Sequence, residues 1–248
     1  MRLVTAFLLS LLAAFPCVAF EGKPKFGPDA IPVTTATDYL RSSPAPDYWK
    51  LAPFYDGQDT SSACSVAAVA MAVNFLRGLP PGAEDPLVTQ DGLLETVSDR
   101  AWAEKAAEEG VGVRFDELVS DVRASLKAYG LDGGEIEVFR PKDASADTLA
   151  RLRAILSANE ASDRDVVLAY FNQGVLTGDW DGPHVSPLGA FDAASGRVLV
   201  MDVDREWYVP YWSPDAKLLE AMLKPAPAEH GPLAGETGGL IWLKAEGG

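Results

Sequence analysis

The sequence predicts an α+β domain in which helices come first and an antiparallel sheet follows. Three features point there. A small-residue apolar run from Cys64 to Leu76 follows the serines Ser61 and Ser62, natural N-caps, and reads as a slim helix able to pass through the middle of a domain. Two later stretches, 115–129 and 146–159, repeat apolar residues at spacings of three and four, the period of helices with one buried face. Beyond residue 165 the pattern changes to short apolar runs set off by turn residues. Helices and strands in separate stretches are the order of an α+β fold.

Met1-Arg2, an apolar run and small residues at Cys17 and Ala19 read as a secretory signal peptide cut after Ala19 (1–19). The protein is then periplasmic or secreted; an uncleaved membrane anchor stays open. Bulky residues before Cys17 argue against lipid attachment there. Residues 20–50 lack a period, are rich in Pro, Ser and Thr, and read as an extended arm. Residues 51–248 form the main domain. Its central helix is stopped by Gly78 and Pro80-Pro81, and 89–100 reads as a short helix. Residues 135–139 alternate as a strand, and 165–171 are a buried strand. A polar turn region spans 172–181. Residues 184–191 and 197–202 are two strands around the turn 193–196. An aromatic extended segment (207–212), a helix (215–223), a Pro/Gly-rich loop (224–239) and a last strand (240–244) complete the chain. There is no internal repeat.

A net charge of −15 argues against nucleic acid and anionic membrane surfaces as partners. After the expected cleavage Cys64 is the only cysteine left, so no intramolecular disulfide and no cysteine cluster for a metal can form. An unpaired thiol in an oxidising compartment is a liability unless chemistry uses it. Cys64 stands where a loop meets a helix N-terminus, whose positive dipole end favours a thiolate nucleophile.

A thiolate needs a base, and the base needs an orienter. The chain has two histidines. His184, in Gly182-Pro183-His184-Val185-Ser186-Pro187, stands at the mouth of a strand and is the better placed. His230, in a Pro-flanked loop, reads as surface. Asp202 ends the next apolar strand, which a hairpin sets beside His184. A carboxylate there is costly unless partnered. Asp204 is the rival, on the same face but further past the apolar run. The Cys64 N–H and the Gln58 side-chain amide are candidate oxyanion donors.

The order Gln58, Cys64, His184, Asp202 resembles the papain-like cysteine protease fold, in which a central N-terminal helix packs on an antiparallel sheet. Within it the chain resembles the phytochelatin synthase family, especially the short bacterial type. The likeness rests on Gln58 with Ala63-Cys64-Ser65-Val66-Ala67, on Gly182 to Phe191, and on Leu199-Val200-Met201-Asp202-Val203-Asp204-Arg205. Trp207 to Trp212 is similar to the family's K-Y-P-P-x-W segment. The resemblance implies a transferase in which the cysteine attacks the amide between γ-Glu-Cys and Gly of glutathione. Glycine leaves, and water or a second glutathione takes the acyl group from the thioester. It implies no required cofactor and no protein metal site. Heavy-metal ions such as cadmium enter as thiolate complexes of the substrate, in a role of metal detoxification. Arg205, Ser186 and Tyr208 are the expected substrate-binding residues, and a homodimer stays open.

The chain departs from the family in two places. Where the family tends to have Asn-x-x-Arg after the first core strand, Tyr170-Phe171-Asn172-Gln173 lacks the arginine. Where it has Arg-Gly-Phe before the final strand, this chain has Gly238-Gly239-Leu240. Two expected partners of the glutamyl carboxylate are thus missing. The rival readings are a papain-like peptidase of another family, such as the bacteriocin-leader peptidases, and a non-catalytic periplasmic metal- or thiol-binding protein.

Overall fold

A computed structural model describes residues 24–247. The expected signal peptide lies outside the described residues, and among these no helix is long and apolar enough to cross a membrane.

The described chain opens with β1 (Ile31–Pro32), α1 (Asp38–Ser42) and α2 (Pro46–Leu51). The expected extended arm is therefore helical in part. Helices of five and six residues complete too few turns to display a period, and Pro46 at the start of α2 hides the second. Asp47 and Leu51 of α2 are buried, so the arm is packed against the domain.

The central helix α3 (Cys64–Arg77) follows, with residues 65–75 all buried. Its alanines at 67, 68, 70 and 72 let neighbours approach closely on every side, and Gly78 at φ 72° ends it. The expected serine caps are not caps. The N-cap is Ala63, with no side-chain hydrogen bond. The Ser61 hydroxyl accepts from the Glu109 N–H at 3.0 Å, and the Ser62 hydroxyl donates to the Gly110 carbonyl at 2.6 Å. Both serines tie the helix entrance to the loop at 107–112, and the first-turn N–H groups have no side-chain cap.

Helices α4 (Gln90–Val97), α5 (Arg100–Ala106) and α6 (Phe115–Ala128) build up the same layer, β2 (Glu135–Phe139) follows, and α7 (Ala146–Glu160) closes the first half. The stretch expected as one short helix at 89–100 is α4. A separate helix, α5, starts where Asp99 caps the Ala101 and Trp102 N–H groups. The second half holds β3 (Asp165–Asn172), α8 (Gln173–Thr177), β4 (Pro183–Asp192), β5 (Arg197–Val200), β6 (Tyr211–Pro214), α9 (Asp215–Leu223) and β7 (Gly239–Lys244). Two expectations change here. The polar turn region contains α8, and the aromatic strand starts at Tyr211 because 204–208 form a turn.

The strands form one antiparallel sheet in the order β1-β6-β5-β4-β3-β7-β2. Alternation along β3 divides the core. Val166, Leu168 and Tyr170 join the cluster that includes α3 and α6. Val167, Ala169 and Phe171 join the cluster that includes α7 and α9. Because both faces are covered, β3 reads as a continuous apolar run, and burying each Val or Leu in it is worth about 1.5–3 kcal/mol. The result is helices on both faces of the sheet, with α3 running across the face that carries Tyr170.

Candidate active site

The N-terminus of α3 opens on a cleft of about 540 Å³ lined by Cys64, Gln58 and His184. The hairpin of β4 and β5 supplies the other wall. Its pairing sets Leu188 opposite Val200, so the chain leaving β5 at Asp202 returns beside His184 at the start of β4. His184 Nε2 lies 3.0 Å from Asp202 Oδ1. With Nε2 turned to Asp202, the Cys64 thiol acts on the imidazole as well and favours its charged form.

Asp202 is fully buried. Its Oδ1 also accepts from the Asp204 N–H at 2.9 Å, and its Oδ2 accepts from the Gln173 amide at 2.7 Å. Tyr211 donates to Gln173 Oε1 at 3.2 Å, and Tyr55 donates to the Asp202 carbonyl at 2.5 Å. Burial opposes a charged His184, yet the Asp202 charge and hydrogen bond, with the Cys64 thiol behind them, hold the imidazole pKa well above its ordinary value. Burial pushes Asp202 upward, but the His184 charge and hydrogen bond, the Asp204 N–H and the Gln173 amide bring its carboxyl below the usual range. The pair therefore sits as carboxylate and imidazolium at neutral pH.

Asp204, the rival carboxylate, lines the cleft half-buried. Burial raises its pKa first, and it meets His184 only through space. Gln58 is beside Cys64, its N–H tied to the Val203 carbonyl at 2.8 Å. Its Oε1 is buried with no hydrogen-bond partner, so the carboxamide is not committed to the protein.

Of the three expected substrate-binding residues, the structure brings one to the cleft. Tyr208 lines it, its hydroxyl 3.1 Å from Asp179 Oδ2. Ser186 is completely buried and its oxygen faces the Val203 N–H at 3.4 Å. Two residues further into the sheet than His184, it is already inside the core. Arg205 turns away onto Tyr55, its guanidinium 5.1 Å from that ring, and its stem packs on Gly57.

The positions read as missing arginines have other roles. Gln173 is buried behind Asp202 and does not line the cleft. A Cβ on Gly238 would stand 1.8 Å from the Tyr170 carbonyl oxygen, so no side chain fits there. His230, read as loop surface, lines the cleft: a 3₁₀ turn at 228–233 brings it edge-on to Trp180 at 5.3 Å, with Nε2 2.7 Å from the Asp181 carbonyl. Nothing in the local sequence tells where such a loop folds back. Among the described residues no group of three or more His, Cys, Asp or Glu side chains is set to hold a metal ion.

A thiol at a helix N-terminus, facing an imidazole and a buried carboxylate carried at the ends of two inner strands, puts a nucleophile, a base and an orienter of that base in one place. Residues 33–230 match the phytochelatin synthase family model, and the chain belongs to that family. Glutathione gamma-glutamylcysteinyltransferase 3 of Lotus japonicus is 25% identical over 185 residues, covering 71% of this chain and 34% of that protein. Glutathione gamma-glutamylcysteinyltransferase 2 of Arabidopsis thaliana is 23% identical over 218 residues, covering 84% of this chain and 41% of that one. The matched part of the chain thus spans well under half the length of these relatives. A distant structural likeness is to the Pseudomonas avirulence protein AvrPphB, with a TM-score of 0.35 and 9% identity over 79% of this chain and 100% of that one.

Proposed function

We propose that the chain is an exported glutathione γ-glutamylcysteinyltransferase-like thiol enzyme that works mainly as a hydrolase. The observation that carries this reading is the line Cys64–His184–Asp202 at the floor of an open cleft, in a chain of this family.

Cys64 is the nucleophile. Its sulfur attacks the carbonyl carbon of the Cys–Gly amide of glutathione. The oxyanion that forms is met by the Cys64 N–H, at the uncapped start of α3, and by the Gln58 amide. His184 gives its proton to the glycine nitrogen, the C–N bond breaks and glycine leaves. A γ-Glu-Cys thioester remains. Water then attacks that carbonyl while His184 takes its proton, and the C–S bond breaks to release γ-Glu-Cys and the thiolate. Asp202 keeps the imidazole oriented and stabilises its charged form throughout. Cadmium enters only bound to substrate thiolates.

The balance between water and a second glutathione depends on how well an acceptor is held. A peptide carrying carboxylates needs cations near the thioester. Among the described residues Lys25 is the one Lys or Arg side chain lining the cleft, and it is already paired with Asp179, too few cations to hold an acceptor as well as a donor. The net charge of −15 also repels anionic peptides. Both support hydrolysis as the main outcome. The test is to incubate the protein lacking its signal segment with millimolar glutathione, with and without cadmium, and identify products by mass. Glycine and γ-Glu-Cys are expected in excess. A majority of polymerised γ-Glu-Cys would reverse the hydrolytic part, and no release of glycine from glutathione would refute the donor.

A further inference from the structure

The family match begins at residue 33, yet Lys25 lines the same cleft as Cys64 and His184. The segment that carries it is docked by other contacts. Phe26 meets Tyr208 and Tyr211 edge-on at 5.9 and 5.8 Å. The Gly27 N–H donates to the Thr177 carbonyl at 2.6 Å, and a Cβ on Gly27 would come within 2.8 Å of that oxygen. The Val33 N–H donates to the Pro210 carbonyl at 2.8 Å. Apolar packing and backbone bonds thus hold the strap in addition to any ion pair that Lys25 makes.

The Lys25 ammonium stands 4.3 Å from the centroid of the Trp207 ring and 4.6 Å from that of Tyr208. It lies 2.8 Å from Asp179 Oδ2. An ammonium has three donors, and one carboxylate contact does not use them all. Among the described residues Lys25 is the one Lys or Arg side chain lining the cleft. Across the same space stands the half-buried carboxylate of Asp204. One ammonium and two carboxylates line this wall, Asp179 paired with Lys25 and Asp204 standing apart from that pair. A ligand group that carries both charges can meet Lys25 with its carboxylate and Asp204 with its ammonium.

We propose that Lys25 is a specificity-determining residue: it anchors the α-carboxylate of the zwitterionic amino-acid end of the acyl donor, while Asp204 receives the α-ammonium. The choice of donor rests on the function proposed above; the anion-anchoring role rests on the placement of Lys25. Two aromatic rings shield the ammonium from water on one side, and a charge-assisted bond gains strength where water is thinned. The strap thereby supplies a cation from outside the matched domain, in a chain whose glycine at 238 has no room for one and whose residue 173 is turned to Asp202.

The test uses the chain lacking its signal segment, with Lys25→Met and Lys25→Arg. On glutathione, Lys25→Met raises KM about tenfold, the size of one lost charge-assisted bond, with a much smaller change in kcat. Lys25→Arg keeps KM near the unsubstituted value. A glutathione analogue whose glutamyl α-carboxylate is a carboxamide costs the unsubstituted protein the same factor and costs Lys25→Met little. An unchanged KM in Lys25→Met, or an equal carboxamide penalty in both proteins, overturns the proposal. Alkylation of Cys64 needs no substrate and separates the two readings. The ratio of iodoacetate to iodoacetamide rates falls about threefold in Lys25→Met, as expected for one charge across a wet cleft. If glutathione is not turned over but the ratio falls, the donor is wrong and Lys25 stands as the anion anchor. If the ratio is the same in both proteins, Lys25 anchors no anion, whatever the donor.

Discussion

On the sheet side of the cleft, His184 and Asp202 are 5% and 0% exposed, and both Asp202 carboxylate oxygens are engaged. On the rim, Trp207 is 58% exposed and Trp180 is 47% exposed. The first wall is rigid because a buried polar network tolerates only one satisfied arrangement. The second wall is aromatic, charged and in water, where exchanging one side chain disturbs little of the fold. On the function proposed above, the first wall carries the chemistry and the second the choice of substrate. Substitutions on the buried wall should therefore change kcat and the pH profile, while those on the rim should change KM.

The largest break in that contrast comes at the point where the walls meet. Cys64→Ala should lower turnover more than about 10⁴-fold, the scale seen when a nucleophile is removed. The thiol is partly exposed and lies at a helix start, so the thermal melt should barely move. Residual turnover above one per cent, by product mass, would remove Cys64 from the role of nucleophile.

The two carboxylates sharpen the contrast further. Asp202→Asn should cost about 10³-fold in kcat, because it no longer holds the imidazolium. Asp204→Asn should cost less than about fivefold in kcat, because it reaches His184 only through space. The reverse ranking would exchange their roles. The pH dependence has a definite sign. His184 has a raised pKa when folded, so its contribution to stability is full below about pH 6.5 and is lost as pH rises through the raised value. Asp202 has a lowered pKa, so its contribution is present above about pH 3.9 and is lost as pH falls through the lowered value. The unsubstituted protein should gain most over Asp202→Asn between those limits, and the variant's alkaline activity limb should move to lower pH.

Gln58→Ala should reduce kcat about 10²-fold with KM nearly unchanged, the size of one oxyanion donor. A change in KM alone would move Gln58 to substrate recognition.

The buried wall was legible in the sequence, while of the expected substrate-binding residues only Tyr208 was placed at the cleft. Cys64, His184 and Asp202 each stand at the end of a strongly patterned element: the small-residue helix, and two apolar strands joined by a four-residue turn. An element's end projects its last polar residue to a predictable place. Lys25, Trp180 and His230 sit on segments whose path is fixed by distant contacts, such as the Gly27 N–H on Thr177 or His230 on the Asp181 carbonyl, and no local period records these. Ser186 was misplaced for a related reason: alternation gives the face of a strand but not how far along it the cleft extends. Arg205 lies five residues past the end of β5, its N–H on the Val203 carbonyl, in the turn at 204–208, where side-chain direction follows turn geometry.

Gln173 gives the finest test, because sequence and structure assign it to opposite walls. The resemblance to the family's Asn-x-x-Arg segment implies a partner of the glutamyl carboxylate at this position. In the structure its amide donates to Asp202 Oδ2 at 2.7 Å and its oxygen accepts from Tyr211. Gln173→Leu keeps the volume and removes the donor, leaving one oxygen of a buried carboxylate without a partner. That costs roughly 1–3 kcal/mol of satisfaction for the charged form. The Asp202 pKa should rise, the imidazolium should be held less firmly, and kcat should fall about five- to tenfold with the acid limb of the profile moved upward. Substrate does not meet this side chain, so KM on glutathione should stay constant. In the Asp202→Asn background the same substitution should add little, since the two act through one imidazole. A KM effect that persists in that background would return Gln173 to the glutamyl pocket and make the buried wall shallower than its geometry implies.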